Sequence, residues 1–277
     1  NMYSILLVGA DVEVFLREAQ TNNLVTACGK IGGTKDNPRK ILGDKFSALQ
    51  EDNVMLEFNI DPARNADNFR DNINKVLVHI YEELEQQGLK IDVSSSQVFT
   101  PEALKHPLAL VMGCDPDVSA WSVKPNPIVQ PEQLGNLRTS GGHIHITFKV
   151  NKEDPTMLHK VNLIRMLDLA LGVPSVILDP DQDRRRHYGK PGAFRSKGDN
   201  HVEYRTMSNF WIKNDELKEW AFNGVSWAFT QLNSRGNAVV EGEWGELFQP
   251  DIEKCIKNGD TILANKLIRE LQIPMPR

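Results

Sequence analysis

The chain has 277 residues, 40% of them hydrophobic, with 32 Lys and Arg set against 37 Asp and Glu for a net charge of -5 at pH 7. That composition excludes a disordered chain, and its acidic balance argues against nucleic-acid binding driven by bulk charge. Three widely separated cysteines exclude a disulfide framework and point to a reducing compartment, while the length allows one large domain with a substantial core.

The apolar run Ile5 to Val8 leads into GADVEVFL, where strand alternation puts Asp11 and Glu13 on one face and Val12 and Val14 on the other. GKIGGTKDNP, Gly29 to Pro38, is rich in glycine but lacks the GxxxxGK[ST] form, and reads as a loop over a site. In DNVMLEFNI, Asn53, Met55, Glu57 and Asn59 alternate with Val54, Leu56, Phe58 and Ile60. Residues Asn65 to Gln87 form an amphipathic helix: Phe69, Ile73, Val76, Leu77, Ile80 and Leu84 recur at helical spacing and Gly88 stops it. Its stripe should pack on the back of a sheet. SQVFTPEALKHP and the stretch from Cys114 to Pro131, with Trp121, read as loops that shape a substrate pocket; Cys114 itself reads as a small buried hydrophobe.

RTSGGHIHITF, Arg138 to Phe148, places His143, His145 and Thr147 on one strand face opposite Ile144, Ile146 and Phe148. A helix follows from Thr156 to Leu171 and is halted by GVP. DRRRHYGKPGAFRSKG, Asp183 to Gly198, concentrates Arg184, Arg185, Arg186, Lys190, Arg195 and Lys197 among glycines, and reads as a mobile basic loop suited to clamping phosphates. HVEYRTM then sets Glu203 and Arg205 on one face. Glu216 to Asn233 is a helix rich in Trp, Phe and Ala, and two shorter helices follow Pro250 and Gly259. No apolar run approaches the roughly 20 residues that span a bilayer. The N-terminus lacks a cationic and then apolar leader, so a cytosolic protein without a membrane partner is expected.

Four strands thus carry acids, imidazoles or an arginine on one side and apolar residues on the other. In one sheet, their polar faces would line a single cavity. Clustered carboxylates repel one another unless cations neutralise them, which argues for bound metal. A donor set of carboxylates and imidazole without thiolate suits Mg²⁺, with Mn²⁺ tolerated; zinc signatures such as HExxH are missing.

The ordered set GADVEVF, LEFNI, TSGGHIHI, YGKPGAFR and VEYRTMSNFW resembles the phage-type carboxylate-amine ligases, amidoligases related to glutamine synthetase and glutamate-cysteine ligase. The resemblance runs from about Gly9 to Trp211, and GGHIHI and VEYRTMSNFW are its most specific pieces. It implies an α+β fold: a curved, mainly antiparallel sheet like the glutamine synthetase half-barrel, with helices on its convex face and two divalent cations and ATP on its concave face. It also implies activation of a carboxylate as an acyl phosphate. Residues 1–277 are then one catalytic domain, with 245–277 a C-terminal helical extension.

Carried over by position, Glu13 and Asp11 resemble the family's opening acidic pair, which holds metal. Asp11 departs from the more usual glutamate, and its shorter arm would coordinate through water. Glu57 matches the acid of the second signature strand, His143 the imidazole on the metal nearest ATP, and Glu203 the late carboxylate on that ion. Arg205 matches the arginine facing the transferred phosphoryl group, and Glu57 and Arg195 join it in the catalytic set. Arg184, Arg185, Arg186, Arg195, Lys190 and His145 form the expected nucleotide-binding set.

The resemblance therefore implies an ATP- and Mg²⁺-dependent ligase joining an amine to a carboxylate on a small molecule, a peptide or a modified base. If phage-encoded, it would work in the host cytoplasm; relatives often assemble as homo-oligomers through sheet edges. Two alternatives stay open. One is a phosphotransferase acting on a guanidino or carboxylate group, and the other is a non-catalytic module that binds nucleotide or nucleic acid.

Overall fold

A computed structural model describes residues 2–112, 116–235 and 242–277, with side chains from 246 onward in the last stretch. Cys114 lies outside the described residues. In chain order the first elements are β1 (Tyr3–Glu18), β2 (Leu24–Val25), β3 (Arg39–Lys40), β4 (Ala48–Asp52), β5 (Met55–Asn59), α1 (Ala66–Glu85), β6 (Leu89–Asp92) and β7 (Ser96–Val98). They are followed by β8 (Val118–Ser119), α2 (Pro131–Leu134), β9 (Leu137–Thr139), β10 (Gly142–Val150), α3 (Met157–Leu167) and α4 (Val173–Leu178). The remainder is β11 (Ala193–Gly198), β12 (His201–Tyr204), α5 (Asp215–Arg235), α6 (Gly242–Asn258) and α7 (Thr261–Leu271).

The main sheet runs β3-β4-β5-β1-β10-β12-β11-β8 and does not close, with β2 and β6 also pairing with β1. Its described ladders are antiparallel. This is the α+β fold expected from the sequence. Period-2 alternation divides the strands cleanly. Val8, Val12 and Val14 of β1, Ile144, Ile146 and Phe148 of β10, and Val202 of β12 are fully buried on one face, where each such side chain contributes roughly 1.5–3 kcal/mol.

The helices cover that apolar face. All six stripe residues of α1 are buried, and Asn65 caps it by accepting from the Asn68 amide at 2.8 Å. Helix α1 packs on α5 and β6, and α5 packs on β1. Thr156 starts α3 through a capping box with His159. GVP does not end this helix. Residues Asp168–Gly172 form a π-turn in which the Val173 amide bonds to the Asp168 carbonyl, and Pro174 sits in the first turn of α4. There its missing N–H costs nothing, and the wider turn relieves the ring's clash with the preceding carbonyls.

The resulting helical span Met157–Leu178 is long and apolar enough to cross a membrane, which run lengths alone did not reveal. In the fold, 83% of its most apolar window is buried inside the protein, so it serves as a core helix. Helix α7 follows Gly259 as expected, with Asp260 as its cap, whereas Pro250 lies inside α6 instead of preceding it. Ile252, Ile256, Ala264 and Leu267 from these two helices join the same hydrophobic core as the sheet.

Candidate functional site

The register of the central strands sets the site. Asp11 of β1 lies opposite His143 of β10 on one side and Asn59 of β5 on the other, and Glu13 lies opposite Glu57. His145 of β10 lies opposite Glu203 of β12, which in turn faces Arg195 of β11. Residues scattered from 11 to 205 therefore occupy adjacent positions on the polar face. They line a cavity of about 440 Å³.

Two groups of ligand-type side chains sit in the floor: Asp11, His145 and Glu203 in one, Glu13, Asp52 and Glu57 in the other, with ligand atoms in each group within 4.8 Å of one another. His145 Nε2 is 2.8 Å from Asp11 Oδ1 and 3.7 Å from Glu203 Oε2, and its Nδ1 is 2.8 Å from His201 Nε2. His143 flanks the first group, with Nδ1 3.5 Å from Glu203 and 3.8 Å from Asp11. Gly141 matters to both groups. A Cβ there would meet His143 Nε2 at 2.4 Å and Glu13 Oε1 at 2.9 Å, and its amide donates to Glu13 Oε1 at 2.7 Å.

The electrostatics separate the two groups. Withdrawal from water pushes Glu13 and Glu57 well above the usual carboxylate range; Asp52 adds to this for Glu13, and Asp11 and Asp52 for Glu57. Burial would also raise Asp11, but the His145 charge and hydrogen bond, with Arg205 and Lys197, hold it low. Burial would lower His145, yet Asp11 and Glu203 keep its pKa raised. Burial and then Arg205 hold His143 well below the ordinary imidazole value. One group is thus an ion-paired cluster, and the other a set of carboxyls that form no ion pair among the described residues, with Arg184 acting on Glu13 only through space.

Arg205 is fixed between Glu203, which it bonds through Nη1, and Asp117, whose Oδ2 accepts from Nε at 3.2 Å. Arg184, Lys190, Arg195 and Lys197 also line the cavity. The basic stretch differs from the mobile loop expected. Arg184–Arg186 form a 3₁₀ turn, and Arg195 and Lys197 lie on β11. Arg184 is 5% exposed and donates to the carbonyls of Ser140, Thr206 and Met207.

Two of the three consecutive arginines do not join the site. Arg185 is buried against helix carbonyls, donating to Ser175, Asp179 and Ile256. Arg186 projects outward to Asp183, its side chain 72% exposed. In a 3₁₀ turn successive residues point about a third of a turn apart, so three neighbours cannot share one cavity.

The loop reading of Gly29 to Pro38 agrees with the structure: Lys35 and Pro38 line the cavity, and Glu51 pins the loop by accepting from the amides of Gly29 and Gly32. The stretch from Pro116 to Val129 contributes Asp117, Asn126 and Ile128 to the wall. Trp121 turns into the core instead, where its Nε1 donates to Asp168. SQVFTPEALKHP is not part of the wall; Phe99 and Leu104 pack in a satellite cluster with Phe15 and Met55.

Several site residues escaped the sequence reading. Asp52 shares a face with Gln50 and Glu57, and His201 shares one with Glu203; the same alternation that exposed Glu57 and Arg205 carried their signal. Asp117, Arg138 and Tyr188 come from segments without periodicity, where no local pattern marks them.

Residues 136–234 match the family described as Phage phiEco32-like COOH.NH2 ligase-type 2, which bears out the resemblance read from the signature segments. That segment holds both histidines of the HIH run, Glu203 and the cavity arginines, while Asp11, Glu13 and Glu57 precede it. No curated protein sequence matches the chain significantly. Among solved structures the chain is similar to "Apo GmaS without ligand", at 12% identity and a TM-score of 0.42 over 96% of this chain and 68% of that one. It is also similar to "GmaS/ADP complex-Conformation 1", at 11% identity and 0.37 over 97% and 68%, and to "Crystal structure of novel glutamine synthase homolog", at 11% and 0.32 over 97% and 66%.

Proposed function

We propose, from the match of residues 136–234 to the COOH.NH2 ligase-type 2 family, that the chain joins a carboxylate to an amine at the expense of ATP, with Mg²⁺ as the metal. In this reaction a carboxylate oxygen attacks the terminal phosphorus of ATP and ADP leaves. The amine nitrogen then attacks the acyl carbon and inorganic phosphate leaves, carrying the former carboxylate oxygen. No redox partner is needed.

The observation that carries the reading is the charge inventory of the cavity. Among the described residues, seven carboxylates line it, and so do seven lysines and arginines. Alone they balance; any bound divalent cation leaves the wall positive, as a polyphosphate requires. The donors fit such a cation, because they are carboxylates and imidazoles without thiolate and fall into two compact groups. Asp11, His145 and Glu203, with His143 alongside, would hold one ion, and Glu13, Asp52 and Glu57 the other. Bound there, the metal supplies neutralisation of phosphate charge.

The protein's own groups would orient and neutralise. Arg205, braced by Glu203 and Asp117, presents a planar fork to the transferred phosphoryl group. Arg195, Arg184 and Lys190 supply further donors from neighbouring walls. Glu57 serves the metal and, once charged, helps exclude a wrongly placed anion.

The test supplies ATP, Mg²⁺, hydroxylamine and a panel of carboxylic acids, reading ADP release and hydroxamate. Acid-dependent hydroxamate with matching ADP is expected. A phosphorylated acid accumulating regardless of amine would reassign the protein as a phosphotransferase, and absence of ATP consumption with every acid would reject catalysis of this kind.

A further inference from the structure

Strand β8 ends the main sheet and has only two residues, paired with Ala193 and Phe194 of β11. A strand this short has too few ladder bonds to fix its own place. Yet Asp117, the residue just before it, carries the carboxylate that accepts from Arg205 Nε. Residues Asp117 to Asn126 close on themselves: the Asn126 amide donates to the Asp117 carbonyl and Asn126 Nδ2 to Asp117 Oδ1, each at 2.8 Å, while the Ser119 amide donates to the Lys124 carbonyl at 3.0 Å. Ser122 to Pro125 are exposed, but Trp121, in the middle of the loop, is 5% exposed and turns into the core.

The indole is seated from several sides. Its Nε1 donates to Asp168 at 2.7 Å. The Arg165 guanidinium lies 5.3 Å from its ring centroid and donates from Nε to the Ala120 carbonyl at 2.8 Å. The Ala120 amide donates to the Gly192 carbonyl at 2.9 Å, and Gly192 leaves room for the ring, since a Cβ there would lie 2.9 Å from Trp121 Cδ1. Asp168 also accepts from Tyr204 Oη at 2.7 Å, and Tyr204 directly precedes Arg205. Gly172, at the end of the π-turn, makes this approach possible, because a Cβ there would lie 2.8 Å from Tyr204 Oη. The Arg205 amide in turn donates to the carbonyl of Ala193, the register partner of Ser119. One carboxyl beneath the apolar face thus ties the strand that leads into Arg205 to the loop that carries its brace. Replacing a buried polar tie by apolar side chains of equal volume is often neutral for stability, so its distinctive effect is to select one arrangement.

We propose that Trp121 is a positioning residue for phosphoryl transfer: seated on Asp168 and Arg165, it sets the place of β8 and so of Asp117, which sets the plane of the Arg205 guanidinium. For what Arg205 does, the proposal rests on the ligase reading. Trp121 lies in the core and acts only through Asp117 and Arg205, so its loss should show in turnover and leave nucleotide affinity alone.

The test uses the full chain with two substitutions. Trp121→Phe keeps an aromatic ring and removes the Nε1 donor. Arg165→Met, at a partly buried position, releases the other side of the indole and serves where Trp121→Phe does not fold. Each should lower kcat about tenfold or more with the Kd of ATP unchanged. The loss should vanish in an Arg205→Lys background, because Arg205 transmits it, whereas a merely weakened fold would lower turnover equally in both backgrounds. A readout without turnover is the Arg205 Nε proton, identified by nuclear magnetic resonance in the ligand-free chain through its disappearance in Arg205→Lys. In both variants it should exchange with water about tenfold or more faster. Unchanged exchange, unchanged kcat, or a kcat loss of equal size in the two backgrounds would each overturn the role of Trp121. Faster exchange in a chain that never consumes ATP keeps the positioning and removes the ligase; full turnover with unchanged exchange does the reverse.

Discussion

Arg205 is held from two directions, by Glu203 on its own strand and by Asp117 from the loop before β8. Its orientation is set before any ligand arrives, which favours a role that strengthens in the transition state over one that merely holds nucleotide. Arg205→Lys keeps the charge and loses the fork. It should lower kcat by about 10²-fold or more with little change in the Kd of ATP, read by single-turnover kinetics and calorimetry; full kcat in the variant would remove Arg205 from the transfer step. Asp168 makes a separate prediction. Its carboxyl accepts from Trp121 Nε1 and Tyr204 Oη, each at 2.7 Å, and burial raises its pKa from 3.8 to about 7. The folded state therefore binds this proton more tightly than the unfolded state. The resulting stability is complete below about pH 4 and declines as pH rises toward 7. Asp168→Asn should flatten that slope and cost about 1–3 kcal/mol where the wild type is protonated, because one of two buried donors loses its acceptor. Urea melts across this range would show it, and parallel pH profiles for the two proteins would count against it.

At the scale of elements, close backbone approach decides which glycines can change. A Cβ on Gly142 would lie 2.2 Å from the Ser208 carbonyl and 2.5 Å from Trp211 Nε1, at the crossing of β10 with the turn after β12. Gly142→Ala should therefore cost about 1–3 kcal/mol or more, as overpacking against fixed backbone does. Gly9, on the neighbouring strand, has only ordinary contacts at 3.5 Å or more, and Gly9→Ala should be neutral or stabilising by up to about 1 kcal/mol. Thermal melts of the pair check this; equal losses would show that the approach at Gly142 is not what constrains it. The same elements show why some of the site was legible. Where a strand alternates strictly, as in HIHITF or VEYR, residue type at each second position told which side chains face the cavity. Arg185 and Arg186 failed because composition marks a basic run without giving its turn geometry. The halt expected at Val173 and Pro174 failed because a π-turn is a tertiary accommodation that local propensity does not contain.

On the scale of the whole molecule, α6 and α7 are built into the fold. They place Ile252, Ile256, Ala264 and Leu267 in the common core, and the Ile256 carbonyl accepts from Arg185. Removing residues 242–277 should abolish the cooperative unfolding transition in calorimetry; a truncated chain that still melts sharply would make those helices a dispensable addition. A different consequence follows from β1, which pairs with β2, β5, β6 and β10. Asp11 and its register partner His143 lie 132 positions apart in the chain. At the usual pace of synthesis of about 5–20 residues per second, β10 leaves the ribosome roughly 7–26 s after β1. For that interval β1 can be covered by β5 on one edge while the backbone of the other, from Tyr3 to Val12, waits unpaired, and its apolar face with Val8, Val12 and Val14 waits for α5. The segment that begins the acidic floor is thus the segment that a nascent chain must shield longest, and a ribosome-associated chaperone would find its binding stretch there.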